Sequence, residues 1–260
     1  MSLGIFYFVN ASSVQAATTY YVDGTLSGTC VGGAGTSYRV ANRDCGGSDG
    51  TKAWTTFNGA IAGGSVALGS TVYGRAGTYT ENQINTAFAA GSGQTLVQNY
   101  NGESVTIIPG TISQGLMFIT HSIKFKGINF NFNNHARGSG QYIFGVYANV
   151  SFTLEDLTVN GLTLNSNNNA VISAYGAFLP TIALNRVIIY NSPFVIYNDS
   201  SYSGNVIVNI YSSLFYDNTY FNYQNRAAGT VLTLLNNTII KCKGYGIHWA
   251  KTGSIVTAKN

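Results

Sequence analysis

Leu184-Asn-Arg-Val-Ile-Ile-Tyr-Asn-Ser192 has four near-copies in the same chain. Upstream lie Phe125-Lys-Gly-Ile-Asn-Phe-Asn-Phe132 and Leu154-Glu-Asp-Leu-Thr-Val-Asn-Gly161. Downstream lie Tyr211-Ser-Ser-Leu-Phe-Tyr-Asp-Asn218 and Leu235-Asn-Asn-Thr-Ile-Ile-Lys-Cys242. Each copy has one apolar residue, two turn-prone residues, then a short alternating run. Aligning Ile128, Leu157, Val187, Leu214 and Thr238 gives spacings of 29, 30, 27 and 24 residues. An irregular repeat of that length built from short strands is a solenoid. No helical segment separates the copies and no Leu/Asn consensus recurs, which leaves a parallel β-helix. Coils stacked at strand spacing set like positions above one another. Ile128/Phe130, Leu157/Val159, Val187/Ile189, Leu214/Tyr216 and Thr238/Ile240 are then expected to point into the core. Asn131, Asn160, Asn191 and Asn218 close the strands, where Asn tolerates turns and can bond along a stack.

Composition agrees. Charged residues make up 8% of the 260-residue chain and hydrophobic residues 45%, which excludes general disorder. Strand formers punctuated by Asn, Ser and 31 Gly suit one domain of many short strands. Residues 1–120 carry four Lys/Arg against five Asp/Glu, and residues 121–260 nine against four. A mildly basic coil body suits an anionic polymer such as a polyuronate, and surface charge kept for solubility explains it equally well. The dense basic stripe of a duplex nucleic-acid binder is missing.

Residues 1–16 read as a signal-peptide-like segment, with an apolar run from Leu3 to Val9 and small residues at Val14-Gln-Ala16 but no basic start. That run is too short to span a bilayer, as is every other stretch. Export is therefore expected, with 17–260 as a single domain. Within the Gly-rich loop 23–50, Cys30 and Cys45 read as a disulfide, since a metal site needs more ligands than two thiols. Cys242 reads as a small buried apolar residue. The spacing of Trp54, Phe57 and Ile61 predicts a helix over 53–62 capping the open end of the core, with coils from about residue 70. Ser254-Ile-Val-Thr-Ala-Lys-Asn260 opens a further copy, so more coils are expected beyond it.

Tyr20-Tyr-Val-Asp23, Gly47-Ser-Asp-Gly50, Trp54-Thr-Thr-Phe-Asn-Gly-Ala-Ile61, Gly69-Ser-Thr-Val-Tyr73 and Gly77-Thr-Tyr79 resemble the N-terminal region of right-handed parallel β-helix proteins of the pectate-lyase-like superfamily. The repeats from Phe125 extend the resemblance over nearly the whole mature chain. Ser70 departs from it, since such proteins usually carry Asp there. The resemblance implies an all-β, right-handed parallel β-helix. It leaves activity open, because the superfamily holds lyases, hydrolases, epimerases and non-catalytic surface proteins.

Glycoside hydrolysis needs paired carboxylates about the scissile bond. Glu155 and Asp156 are adjacent on a strand and point apart, and Gly246-Ile-His248 is not the Gly-His-Gly of the polygalacturonase branch. β-Elimination from a uronate needs a neutralised carboxylate and a base. In the resembling lyases Ca²⁺ or a basic side chain does the first and Lys or Arg the second. Lys126, Arg137 and Arg186 are the catalytic candidates, with Lys124, His121 and His135 behind them. Lys126–Glu155 and Asp156–Arg186 could equally be coil-to-coil ion pairs. Ca²⁺, implied by the resemblance, would have to use Glu155, Asp156 and Asp217. Tyr147, Tyr175, Tyr197, Tyr223 and Trp249 recur once per coil; facing out they would stack on sugars, facing in they are core. The expectation is a secreted polysaccharide-directed protein of the lyase type. The alternative is a non-catalytic carbohydrate-binding or adhesin module.

Overall fold

Strand pairing runs between coils. In a computed structural model that describes residues 18–112, 114–132, 142–161, 170–175, 178–199, 206–225, 230–241, 248–249 and 254–260, three parallel sheets of ten, seven and seven strands form the walls of a β-helix. The first sheet includes Ile123–Lys126, Ser151–Glu155, Thr181–Asn185, Ile207–Tyr211, Val231–Leu235 and Ile255–Lys259, each paired with the strand one coil away. Phe125, Leu154, Leu184, Ile210 and Leu234 share one register and are all buried. The second sheet stacks Ile107, Phe130, Val159, Ile189 and Phe215 in the same way. The third contributes Met117, Phe144, Ile172 and Ile196. One continuous apolar column runs between the three walls.

A single residue turns the chain from the first sheet into the second. Gly127, Asp156, Arg186, Ser212 and Asn236 occupy this corner with φ of 65°, 52°, 52°, 50° and 56°. The left-handed conformation costs an L-residue about 1–2 kcal/mol. It persists because the ladder continues through the bend: the Asp156, Arg186, Ser212 and Asn236 N–H groups donate to Asn185, Tyr211, Leu235 and Lys259 carbonyls on the next coil. Asn191, Asp217 and Lys241 form a second left-handed column where the second sheet ends.

The observed register corrects the alignment read from sequence. Ile188 pairs with Leu214, so Val187 lies level with Ser213 and the spacing there is 26 residues, not 27. Phe215 therefore faces the core, and Leu214 and Tyr216 face outward; Ile239, not Thr238 or Ile240, is level with Phe215, although on this terminal strand of the sheet it is exposed. A slip of one residue exchanges the two faces of a strand, and burying the Phe215 ring decides between them. The polar residues this brings to the corner are satisfied. The Val187 N–H donates to Ser213 Oγ at 3.2 Å, Ser213 N–H to Asn237 Oδ1 at 2.9 Å, and Asn237 Nδ2 to the Ile210 carbonyl at 2.8 Å.

The helix is shorter than its spacing predicts, running Phe57–Ile61. Lys52–Trp54 is instead an edge strand of the first sheet, paired with Tyr20–Val22, and Trp54 packs on Tyr20 with ring centroids 5.7 Å apart. Thr56 starts the helix by accepting from Gly59 N–H at 3.0 Å. The buried Glu81 carboxylate accepts from the Phe57 and Asn58 N–H groups at 2.6 and 3.1 Å, answering donors that a helix start leaves free. Phe57, Ala60 and Ile61 join the main core. The Cys30–Cys45 disulfide is formed, at 2.05 Å. Its loop lies on the outside of the first sheet, where Tyr21, Cys30, Tyr38 and Ala53 make a second small core bordered by Tyr73 and Tyr100. Cys242 lies outside the described residues.

Phe215→Ala is expected to cost about 3–5 kcal/mol, as for a buried aromatic. Leu214→Ala is expected to cost less than about 1.5 kcal/mol, below the value of a fully buried Leu. Urea denaturation of the two variants checks this, and a larger loss at Leu214 would contradict the observed register.

Candidate functional site

Two of the three basic candidates meet. Lys124 and Lys126 project from one coil, Glu155 from the next in register with Lys126, and Asp156 and Arg186 from consecutive left-handed corners. Lys124 Nζ is 2.6 Å and Lys126 Nζ 2.8 Å from Glu155, while Lys126 also lies 3.6 Å from Asp156. Arg186 grips Asp156 with two bonds of 2.6 and 3.0 Å and reaches Glu155 at 3.3 Å. Glu155 and Asp156 do not point apart as strand alternation predicts, because Asp156 is the corner residue and no longer follows the pleat. Arg137 and His135 lie outside the described residues.

The electrostatics of this cluster oppose proton abstraction. The Glu155 hydrogen bond raises the Lys126 pKa, with the Glu155 and Asp156 charges adding to it. Asp156 likewise raises Arg186. Burial pushes Glu155 up, but the bonds from Lys124 and Lys126 outweigh it and hold the carboxyl below its usual range. The Arg186 bond holds Asp156 low as well. A general base at neutral pH needs the opposite, an ammonium made acidic by burial or like charge. Both carboxylates are also engaged by cations, and Asp217 sits at the far end of the second-sheet strands. The residues proposed for Ca²⁺ therefore do not fit it. Among the described residues no group of three His, Cys, Asp or Glu could hold a metal. His121 contacts Thr120 Oγ1 and the Thr86 carbonyl through Nδ1, at 3.0 and 3.1 Å, with its ring edge-on to Phe88.

The recurring aromatics do not form one column. Tyr197 is level with Ser173 and Gln224, Tyr223 with Ile196, and Trp249 with Asn225. Tyr197 is buried beside Ala170 and Phe194 in a cluster apart from the main core. Tyr147 is half-buried, stacked on Phe118 at 5.4 Å and bonded to Tyr142 through the two hydroxyls. Gly145 makes room for this set, since a Cβ there would meet both Tyr142 and Tyr147 rings. The side chains of Tyr175, Tyr223 and Trp249 lie outside the described residues.

An outward aromatic pair stands elsewhere, on the second sheet. Tyr190 and Tyr216 share a register and stack with centroids 4.8 Å apart and planes within 4°. Sequence reasoning missed it because the one-residue alignment error turned Tyr216 inward. Beside it the strand-closing Asn residues form a ladder: Asn160 Nδ2 donates to Asn131 Oδ1 at 3.1 Å, and Asn191 Nδ2 to Asn160 Oδ1 at 3.2 Å. Asn218 leaves that ladder and turns inward, accepting from Ser192 N–H and donating to the Ile189 carbonyl.

No family of proteins matches this chain, and no curated protein does. Among solved structures it is similar to one titled rhamnogalacturonan lyase, at 12% identity with a TM-score of 0.23, over 85% of this chain and 74% of that one. The β-helix itself rests on the strand pairing described above.

A second ionic centre ties the disulfide loop to the coils. Asp23 is fully buried and accepts from Arg43 at 2.6 and 2.8 Å and from the Tyr38 hydroxyl at 2.7 Å. Arg75 joins Tyr38 to Glu103, bonding each at 3.0 and 2.9 Å. Burial would raise Asp23, yet the bonds from Arg43, Tyr38 and Thr25 outweigh it and hold the carboxyl well below the usual range. Because the folded pKa lies under the unfolded one, this stabilisation is complete above the ordinary Asp range near about 3.9. It is lost as pH falls toward the folded value. Asp23→Asn is expected to cost about 1.5–3 kcal/mol at pH 7, the size of hydrogen bonds to a charged group. Denaturation curves between pH 7 and pH 3 should show a flatter acid slope for the variant than for the wild type.

Proposed function

We propose that this protein is an exported, polysaccharide-directed β-helix that holds its polymer without cleaving it at the Lys126–Arg186 cluster. The observation that carries this reading is the closed pairing of Lys124, Lys126 and Arg186 with Glu155 and Asp156. Elimination needs one cation free to neutralise a uronate and one base free of its proton. Here the cations already face carboxylates, and Lys126 is held protonated. The outward positions of the walls carry mostly Thr, Asn, Tyr and aliphatic groups, which suit sugar hydroxyls and C–H faces better than a charged reactant. Export is supported by the disulfide, which persists in oxidising compartments. Among the described residues no helix is long and apolar enough to cross a membrane.

The test incubates the protein with pectate, alginate and glycosaminoglycans, with calcium and with a chelator, while ultraviolet absorbance reports unsaturated uronides. A parallel pull-down on insoluble polymers reports binding. Retention with a flat trace is expected, unchanged in Lys126→Ala and Arg186→Ala. A rising trace that either substitution abolishes would establish the lyase reading instead.

A further inference from the structure

The outer face of the second sheet differs from the ion-paired face in lacking charge altogether. Its strands run from Gly77–Glu81 through Val105–Pro109, Ile128–Asn131, Thr158–Asn160, Ile188–Tyr190 and Leu214–Tyr216 to Thr238–Ile240. No outward position on these seven strands is Lys, Arg, His, Asp or Glu, although the chain carries 13 Lys/Arg and 9 Asp/Glu. Among the described residues, charges appear at the two corners that bound the face, at Asp156 and Arg186 on one side and Asp217 and Lys241 on the other.

The outward residues sort into two parallel tracks along the axis. One runs Asn131, Asn160, Tyr190, Tyr216, in register from coil to coil. The other, two residues earlier on each strand, becomes apolar at Ile188 and Leu214. Ile188 is 37% exposed and Leu214 partly so. The Tyr rings stack on each other from coil to coil, one face of each against the other, so they present edges and hydroxyls outward. Neither phenol has a protein hydrogen-bond partner among the described residues. A pyranose has the same division, an apolar C–H face rimmed by hydroxyls. Repetition of both tracks along one axis suits a linear polymer, and the lack of charge selects against one bearing carboxylates, which would lose hydration without gaining a counter-charge.

We infer that the second-sheet face, centred on Ile188, Tyr190, Leu214 and Tyr216, binds an uncharged polysaccharide laid along the solenoid axis. This rests on the polysaccharide reading above and names its substrate class. Affinity electrophoresis through gels containing hydroxyethylcellulose, galactomannan or glucomannan, with polygalacturonate and alginate in parallel, tests it. Wild type should be retarded by at least one neutral polymer. The Tyr190→Ala/Tyr216→Ala variant should bind about tenfold more weakly, the size expected when aromatic contacts are lost. Thr158→Glu, which adds one charge to the face and removes no ring, should weaken binding similarly; it decides the matter if the double variant fails to melt cooperatively. Lys124→Gln, on the other wall, should bind as wild type.

Retardation by the uronates alone, indifferent to these substitutions, would overturn the inference and leave the polysaccharide reading standing. Retardation in no gel would overturn both. Sedimentation showing a dimer that Thr158→Glu dissociates would assign the face to a second copy of the chain and also overturn it.

Discussion

Everything in this molecule depends on coils lying in register along one axis. Each strand finds its hydrogen-bond partners one coil away, so backbone pairing and core packing are the same event repeated. Phe125, Leu154, Leu184, Ile210 and Leu234 are buried together because their strands pair at those residues. The left-handed corner survives on the same terms. Arg186 is a poor choice for positive φ in isolation and Asp156 a better tolerated one, and both are held by N–H bonds to the next coil.

Register also decides what the outside can do. It brings Lys124 and Lys126 to Glu155 and puts Asp156 and Arg186 side by side, converting five ionisable groups into one ion-paired patch. The same rule applied to the next wall lines up amides and phenols with no charge among them. Two neighbouring faces built from the same repeat thus have opposite electrostatic character. The division follows from which residues alternate outward on each strand, and no loop is needed to create it.

The architecture was legible in the sequence because alternation and a recurring turn survive large changes in residue identity. The disulfide was legible from two Cys in one loop. The register was not legible throughout. Between Val187 and Leu214 the apolar pattern fits either of two alignments, and the choice rests on Phe215 being larger than Leu214 and on Ser213 finding partners, the Val187 N–H and Asn237 Oδ1, that only the folded corner supplies. That single residue also concealed the Tyr190–Tyr216 pair. The ion pairs at Lys126 and Arg186 were foreseen as one of two readings. Their pKa directions were not, because they depend on distances of a few ångströms between coils. Trp54 was misassigned for a related reason: helical spacing cannot reveal that a neighbouring strand, Tyr20–Val22, claims its backbone.

The one-residue corner has a consequence for how such a chain can change in length. A strand, a single left-handed residue and the next strand form a rigid unit in which losing or gaining one residue would turn a buried column out to water. A whole coil can be added or removed without disturbing any such unit, since each new corner brings its own N–H bond to the coil beyond. Small insertions are therefore confined to the other two corners, while duplication proceeds by complete turns. The spread of spacings from 24 to 30 residues is the record of that rule: the walls keep their frame, and the connectors absorb the difference.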